Sequence, residues 1–243
     1  TEDVLHRLEL VKKVLYRIKE DAFAEYPDIE HADNVLKIIV FPEFFWRGPK
    51  GAYSIDELLN DGDLDMVSST LREEIVDDFF GDCLFVFGTV IATRMNDEVE
   101  QLSANEVEYY NFALVEAGGS RNANKNSFVI TKKYISGADF LSRAKLPNPA
   151  EDHLHDYAQF DSELEKVLEE RNTTLVTDNV IYLEGLRIGI AICLDHRVGS
   201  LWNELCTQYK PLVDVLIIAN AGMAIDIGPN PIVLGGVVYL CDG

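Results

Sequence analysis

The sequence predicts an α/β fold in which buried strands are covered by helices. Short runs of branched apolar residues without helical spacing, such as residues 186–192 and 213–219, are typical of strands with both faces buried. Residues 3–24 instead repeat apolar side chains every three to four positions, which predicts an amphipathic helix packed on a sheet. With 243 residues, 47% of them hydrophobic, the chain is long enough to bury one large core. We therefore expect a single domain over residues 1–243.

The other elements follow from the same patterns along the chain. A second helix is expected at residues 65–80, and further strands at residues 36–41, 83–91, 110–115, 128–133 and 175–183. Residues 118–126 are rich in Gly and Asn, which predicts a turn between two strands. Residues 137–172 hold only a short charged helix, at 161–171, and so long a connection is typical of a lid or rim over a site.

Cys193 stands where a predicted strand ends and polar residues begin. The apolar run of residues 186–192 leads directly into this cysteine, and Asp195 follows two residues later. In open α/β sheets, ligands bind at the carboxyl ends of strands. We therefore interpret Cys193 as a candidate nucleophile; the alternative is a buried and inert cysteine, which is common in proteins.

Glu43 ends a second predicted strand. Pro42 fixes the exit of the chain, and four aromatic residues flank the carboxylate: Phe41, Phe44, Phe45 and Trp46. Partial removal from water makes a carboxylate a better base near neutral pH. Glu43 is thus a candidate general base, with a solvated loop glutamate as the alternative.

A third strand, at residues 128–133, ends in two lysines, Lys132 and Lys133. Paired lysines at a strand end usually belong to a solvated edge. Side chains alternate along a strand, so only one of the two lysines faces a site at this edge.

Strand ends that carry Glu43, a lysine and Cys193, in this chain order, resemble the nitrilase superfamily of carbon–nitrogen hydrolases. The first signature of that family is Pro-Glu with a Gly five residues after the Glu, and Pro42-Glu43 is followed by Gly48. Its third signature, Cys-x-Asp-x-Arg, is matched by residues 193–197.

The middle part of the family pattern is present as well. It consists of a strand with a Gly, a Tyr-Asn pair that opens another strand, a Gly turn, and a strand that ends in the lysine. The matching segments are residues 85–90, Tyr110-Asn111, Gly118-Gly119 and residues 128–133. The resemblance runs from about residue 35 to residue 220 and selects Lys133 as the lysine.

The resemblance implies a two-sheet αββα sandwich and a mechanism. Glu43 takes the thiol proton of Cys193, and the thiolate attacks the carbon of an amide or a nitrile. Lys133 and the backbone N–H of Leu194 stabilise the negative charge that develops on the substrate. Glu43 then protonates the leaving amine and activates the water that hydrolyses the thioacyl-enzyme. The implied function is a thiol hydrolase that cleaves a non-peptide carbon–nitrogen bond.

Many members of the family carry a second glutamate after the lysine, which hydrogen-bonds the lysine or orients the substrate. Asp139 lies nearest to this place by spacing, and Glu151 is the first glutamate after Lys133. Both residues stay candidates for that role.

No metal ion or other cofactor is expected. His153 and His155 lie beside two acidic residues, but no third ligand is indicated. His196 lies three residues after Cys193, yet residues this close on a tight turn rarely align a thiol with an imidazole. A metal site and a Cys/His pair are therefore the less favoured alternatives.

The composition limits the classes of molecule that we expect the protein to bind. The net charge of −21 argues against nucleic acid and anionic membranes, and no apolar run approaches the roughly 20 residues of a membrane span. Four cysteines without a framework spacing indicate reduced thiols in a cytoplasmic setting. The expected partners are a small-molecule amide or nitrile and, by the resemblance, further copies of the chain in a homodimer or higher homo-oligomer.

The sequence departs from the family pattern after residue 220. Family members carry a long helix and another strand there, whereas here a Gly-rich strand and turn at residues 235–243 follow within fifteen residues. We therefore expect a helix near residues 221–230, and the C-terminal part of the family fold, to be missing. A noncatalytic oligomeric binding protein of the same fold is the alternative function, and nitrile hydrolysis is an alternative reaction.

Overall fold

The computed structural model describes residues 2–22, 25–26, 28, 35–60, 62–95, 107–119, 126–136, 156–208, 210–225, 228 and 230–243. These residues form helices and two β-sheets, which confirms the α/β class. Residues 120–125 of the predicted turn and residues 137–155 of the predicted long connection lie outside the described residues.

The first sheet has six strands. These are β1 (Lys37–Phe41), β2 (Tyr53–Ser54), β3 (Cys83–Met95), β4 (Val107–Ala117), β5 (Ser127–Thr131) and β6 (Thr174–Val176). The order is β1-β3-β4-β5-β6, and β2 pairs with β3. β1 is parallel to β3, while β4 is antiparallel to both β3 and β5. β1 and β5 therefore run in the same direction, and their carboxyl ends point to the same edge of the sheet.

The second sheet has four strands in the order β10-β9-β8-β7. These are β7 (Val180–Leu183), β8 (Leu186–Ile192), β9 (Val213–Asn220) and β10 (Ile232–Asp242). β8, β9 and β10 are parallel, and β7 is antiparallel to β8. The carboxyl ends of β8 and β9 thus lie side by side.

One helix precedes the strands, and the other described helices lie between them in the chain. They are α1 (Glu2–Arg17, continued by a π-helical turn over Ile18–Ala22), α2 (Ile55–Asn60), α3 (Asp63–Ile75, followed by a 3₁₀ turn over Asp78–Phe80), α4 (Ser162–Glu170), α5 (Leu194–Arg197) and α6 (Ser200–Thr207). α1 buries the apolar stripe Val4, Leu8, Val11 and Leu15, as its spacing predicts. Asp161 caps α4, because its carboxylate accepts from the N–H groups of Glu163 and Leu164.

Side chains from both sheets share one buried cluster. It includes Leu84 and Val115 of the first sheet and Ile190 and Ile217 of the second. Burying each aliphatic side chain of this size contributes about 1.5–3 kcal/mol relative to leaving it in water. The cluster holds the two sheets together.

Helices pack on other faces of the sheets. Neighbouring side chains on a strand point to opposite faces, and Phe85 and Phe87 of β3 belong to a separate cluster with α1, α3 and α4. Leu201 and Leu205 of α6 pack with residues of β8 and β9 in a third cluster.

Three details differ from the sequence-based predictions. Residues 175–183 are not one strand: the chain leaves β6 of the first sheet and enters β7 of the second, with Asn179 at φ 57°. Leu5 points to solvent with 53% exposure. α3 begins earlier than predicted and ends at Ile75, where the chain turns before the 3₁₀ turn.

The described residues between β9 and β10 include no helix. β10 instead pairs in parallel directly on β9, with an irregularity in register between Ile232 and Val237. Gly235 in that interval has φ +85°, a conformation that side chains other than glycine rarely adopt. Cys241 near the end of β10 donates from its thiol to the carbonyl of Val40, which places this end of β10 beside β1.

Candidate active site

Three chemically active residues follow three strand ends. Glu43 lies two residues after β1, Lys132 directly follows β5, and Cys193 directly follows β8. The carboxyl ends of these strands meet, although β1 and β5 belong to one sheet and β8 to the other. The structure brings the three side chains together in one buried group.

Glu43 and Lys132 form an ion pair with no solvent exposure of either side chain. The Lys132 Nζ donates to Oε1 of Glu43 over 2.8 Å. Asn111 Nδ2 donates to the same oxygen over 3.1 Å. Because Oε1 receives two donors, the carboxylate is held in one orientation.

Cys193 presents its thiol to this pair from a sharp turn. Its φ is 46°, which is a strained conformation for a residue with a side chain. Its backbone N–H donates to the carbonyl of Ala219 over 2.9 Å, and this bond ties the turn to β9. Leu194, the next residue, begins α5, so its N–H has no acceptor within that helix.

The thiol of Cys193 is protonated in this environment. Burial raises the pKa of the thiol to about 12, and the negative charge of Glu43 acts in the same direction. The positive charge of Lys132 and the N–H of Ala221 oppose the increase. A group that accepts the thiol proton is therefore needed before the sulfur can attack, and Glu43 is the carboxylate whose charge acts on this thiol.

The structure places Lys132, and not the Lys133 selected from the sequence, beside Glu43. Lys133 points away from Glu43 to the partly exposed carboxylate of Glu204, with Nζ 3.5 Å from Oε2. The register of β5 decides this: Thr131 pairs with Phe112, and the next N–H, that of Lys132, donates to the carbonyl of Asn111 over 2.8 Å. Consecutive extended residues point in opposite directions, so only Lys132 faces inward.

Aromatic rings surround the ammonium of Lys132. Its Nζ lies 5.4 Å from the ring centroid of Tyr157 and 5.8 Å from that of Phe44. Both rings are buried and belong to an apolar cluster with Ile91. A cation near an aromatic face is stabilised by the ring quadrupole. The rings exclude water from the ammonium, and Glu43 balances its charge.

The segment that carries Glu43 is fixed by its own backbone. Glu43 N–H donates to the carbonyl of Asn220 over 3.2 Å, and Phe44 N–H donates to the Thr89 hydroxyl over 2.9 Å. Gly88 in β3 makes room for this segment, because a Cβ there would lie 2.6 Å from the carbonyl oxygen of Pro42. The glycine of the predicted strand is thus required by a close approach to the site.

Two residues near the site had no role assigned from the sequence. Asn111 was noted only as part of a Tyr-Asn pair, yet its side chain and its backbone contact Glu43 and Lys132, respectively. Asp195 was noted only as part of a motif, and it binds the backbone directly after Lys132. Their contacts depend on strand register, which no local pattern reveals.

The remaining candidates are only partly described. Asp139, Glu151, His153 and His155 lie outside the described residues. His196 is buried, and its backbone N–H donates to the carbonyl of Cys193 over 3.0 Å. In the described part of the chain, no group of three or more His, Cys, Asp or Glu side chains is placed to hold a metal ion.

The described helices include none that is both long enough and apolar enough to span a membrane. All four cysteines are free thiols. No protein-family model matches the sequence, and no curated protein matches it with significant similarity.

The chain is similar to solved structures of the nitrilase superfamily. A variant of the Nesterenkonia AN1 amidase from this superfamily is 11% identical over 90% of this chain and 60% of that chain, with a TM-score of 0.44. A carbon–nitrogen hydrolase from Helicobacter pylori is 13% identical over 90% and 55%, with a TM-score of 0.42. Nit3 of Saccharomyces cerevisiae, a member of branch 10 of the superfamily, is 15% identical over 89% and 59%, with a TM-score of 0.41. The chain therefore spans 55–60% of the length of these structures.

Proposed function

We propose that this chain is a thiol hydrolase of the nitrilase-superfamily type, which cleaves a non-peptide carbon–nitrogen bond through a thioacyl-enzyme. The observation that carries the proposal is one buried group of three residues, in which Glu43 binds Lys132 at 2.8 Å and the charges of both act on the thiol of Cys193. Nucleophile, base and cation are the parts that acyl transfer needs.

The first step is proton transfer and attack. Glu43 accepts the proton of the Cys193 thiol, and the sulfur forms a bond to the amide carbon of the substrate while the C=O π electrons move to oxygen. Oε1 of Glu43 already accepts from Lys132 and Asn111. We therefore assign Oε2 as the oxygen that takes the proton.

The same proton transfer makes the ammonium of Lys132 available to stabilise the substrate. When Glu43 becomes neutral, the buried ammonium of Lys132 loses its counter-charge at the moment when negative charge develops on the substrate oxygen. Lys132 and the N–H of Leu194 then stabilise this oxyanion, and removing one such donor typically costs about 3 kcal/mol of transition-state stabilisation. Lys132 takes the role that the sequence assigned to Lys133.

The second half releases both products. Glu43 gives its proton to the departing amine, and the carbon–nitrogen bond breaks, which leaves the acyl group on the Cys193 sulfur. Glu43 then removes a proton from water as the water oxygen attacks the thioester carbonyl, and the sulfur leaves as a thiolate that recovers a proton. The net reaction is amide plus water to carboxylic acid plus amine or ammonia.

The family assignment and the layered fold are part of the same proposal. The Pro-Glu-x₄-Gly match, the cysteine motif and the ordered strand ends support membership. Face-to-face packing of the sheets, with helices against each, supports a two-sheet αββα sandwich in one domain. We further propose that the chain forms a homodimer or a higher homo-oligomer, as the family resemblance implies.

A substrate panel tests the function. Simple amides, carbamoyl compounds and nitriles are incubated with the protein, and released ammonia is measured, with Cys193→Ala as the control. We expect turnover of an amide by the unaltered chain alone. Ammonia release at equal rates by both proteins contradicts the proposal. Absence of turnover across the panel, together with a Cys193 no more reactive than Cys206, favours the noncatalytic binding protein.

A further inference from the structure

The turn that carries Cys193 and the segment that carries Lys132 are joined by one carboxylate. Oδ2 of Asp195 accepts from the N–H of Lys133 over 2.8 Å, and Oδ1 accepts from the N–H of Tyr134 over 2.9 Å. Asp195 itself is only 1% exposed. The two donors are the first two backbone N–H groups after Lys132.

These N–H groups need a partner outside the sheet. β5 ends at Thr131, and Lys132 makes the last backbone bond to β4, through the carbonyl of Asn111. Beyond that point the ladder no longer supplies acceptors, and buried N–H groups left without an acceptor are costly. The carboxylate of Asp195 supplies both acceptors at once.

We propose that Asp195 is a positioning residue, whose carboxylate clamps the backbone next to Lys132 onto the turn of Cys193 and thereby sets the position of the Lys132 ammonium relative to the thiol. This inference rests on the proposed function of the same site. Asp195 does not touch the reacting atoms in this arrangement. It acts on Cys193 and Lys132 through the backbone. Asp195 lies two residues after Cys193, and it accepts from the N–H groups of the two residues that follow Lys132.

Two further hydrogen bonds hold the segment that carries Lys132. The carbonyl of Lys132 accepts from Gln159 Nε2 over 3.3 Å, and the carbonyl of Lys133 accepts from the N–H of Tyr157 over 2.7 Å. These bonds hold the segment to the chain that follows residue 155. The Asp195 bonds hold it to the turn of the nucleophile.

The test measures the reactivity of the Cys193 thiol rather than the turnover of a substrate. Cys193 is alkylated with iodoacetamide at fixed pH, and its modification is followed by mass spectrometry of the peptide that contains it. In Asp195→Asn, Lys132 is no longer held near the thiol, and the rate should fall about tenfold, which corresponds to one unit of thiol pKa. A merely structural role predicts the opposite sign, because a loosened site exposes the sulfur.

Two further variants make the outcome specific. Asp214→Asn is the matched control. The Asp214 carboxylate accepts from the Arg187 N–H over 2.8 Å near the other end of β8. The alkylation rate of Cys193 should stay unchanged in this variant. In a Lys132→Met background, Asp195→Asn should slow alkylation no further, since its effect passes through the ammonium. An unchanged or faster rate in Asp195→Asn, or a full additional loss in the double variant, overturns the proposal.

Hydrogen exchange of the unaltered protein covers the case in which Asp195→Asn does not fold. The amides of Lys133 and Tyr134 should exchange as slowly as those of β5, although they lie beyond its ladder. Rapid exchange of these two amides overturns the clamp. Because neither experiment measures hydrolysis, a failed clamp and a failed hydrolase proposal give different results.

Discussion

Lys132 Nζ lies 2.8 Å from Oε1 of Glu43, and neither side chain is exposed to solvent. Two charges in a buried site are costly to desolvate, and removing one partner leaves the other without compensation. A protein that needs only a stable core has no use for such a pair, since apolar residues of similar volume are often equally stabilising. The proposed hydrolysis gives the pair a use, since it requires a base and a cation beside Cys193.

The two adjacent lysines offer a matched comparison. Lys132→Met should lower kcat by about a hundredfold or more, because the oxyanion loses its cation. Lys133→Met should keep kcat within about twofold, since this residue contributes only a partly exposed ion pair with Glu204. Steady-state kinetics of both variants check this, and an inactive Lys133→Met with an active Lys132→Met would reverse the assignment.

The loss of Lys132 should also lower the stability of the fold. Lys132→Met leaves the Glu43 carboxylate buried and unpaired, which should lower the free energy of unfolding by about 3–5 kcal/mol. The double variant Glu43→Gln, Lys132→Met should recover part of that loss without recovering activity. Denaturant unfolding measures both effects, and a double variant less stable than Lys132→Met contradicts the interpretation of the pair.

Cys193→Ser and Cys193→Ala should abolish turnover and keep the fold. The side chain lies at the end of β8 and is small, so its loss removes little packing, while the proposed nucleophile is lost with it. Amide hydrolysis and thermal unfolding are measured together. Full activity of Cys193→Ala would end the proposal that this sulfur is the nucleophile.

Glu43→Gln should be more damaging than Glu43→Asp. Glutamine keeps the size but accepts no proton, and its neutral amide also leaves the Lys132 ammonium uncompensated. Aspartate keeps the basicity but retreats by about 1.5 Å, which should cost roughly a hundredfold in kcat. Measuring kcat and KM for both variants tests the ranking. Near-normal turnover by Glu43→Gln would mean that another group accepts the thiol proton.

The stability of the fold should depend on the protonation state of Asp195. Burial raises the pKa of this carboxyl to about 6, although the N–H groups of Lys133 and Tyr134 and the charges of Lys132 and Lys133 oppose the increase. Because its pKa is higher in the folded than in the unfolded state, the folded protein binds the proton more tightly.

The contribution of Asp195 to the free energy of unfolding therefore decreases as the pH rises from about 4 to about 6, by up to roughly 3 kcal/mol. Above that range the carboxyl is ionised in both states, and the decrease is complete. Unfolding of the unaltered protein and of Asp195→Asn is compared across these pH values. The stability advantage of the unaltered protein should shrink with rising pH, and a growing advantage would contradict the raised pKa.

Several features of this protein were determined by the sequence itself. The run Leu186–Ile192 coincides with β8 because a buried parallel strand is nearly continuous in branched apolar residues. Glu43 and Cys193 were identified because each follows such a run, and strand ends are where side chains leave the core. These signals are local, and a local pattern suffices to find them.

The tertiary structure decided which groups meet. Whether Lys132 or Lys133 faces inward depends on the register of β5 against β4, and a shift of one residue exchanges the two faces. The same pairing brings Asn111 to Glu43, and the packing of two separate sheets brings Asp195 to the backbone after Lys132. Residues 175–183 likewise divide between two sheets, where the sequence analysis predicted one strand. Register and sheet packing depend on the total burial of distant segments against one another, so no short stretch of sequence contains this information.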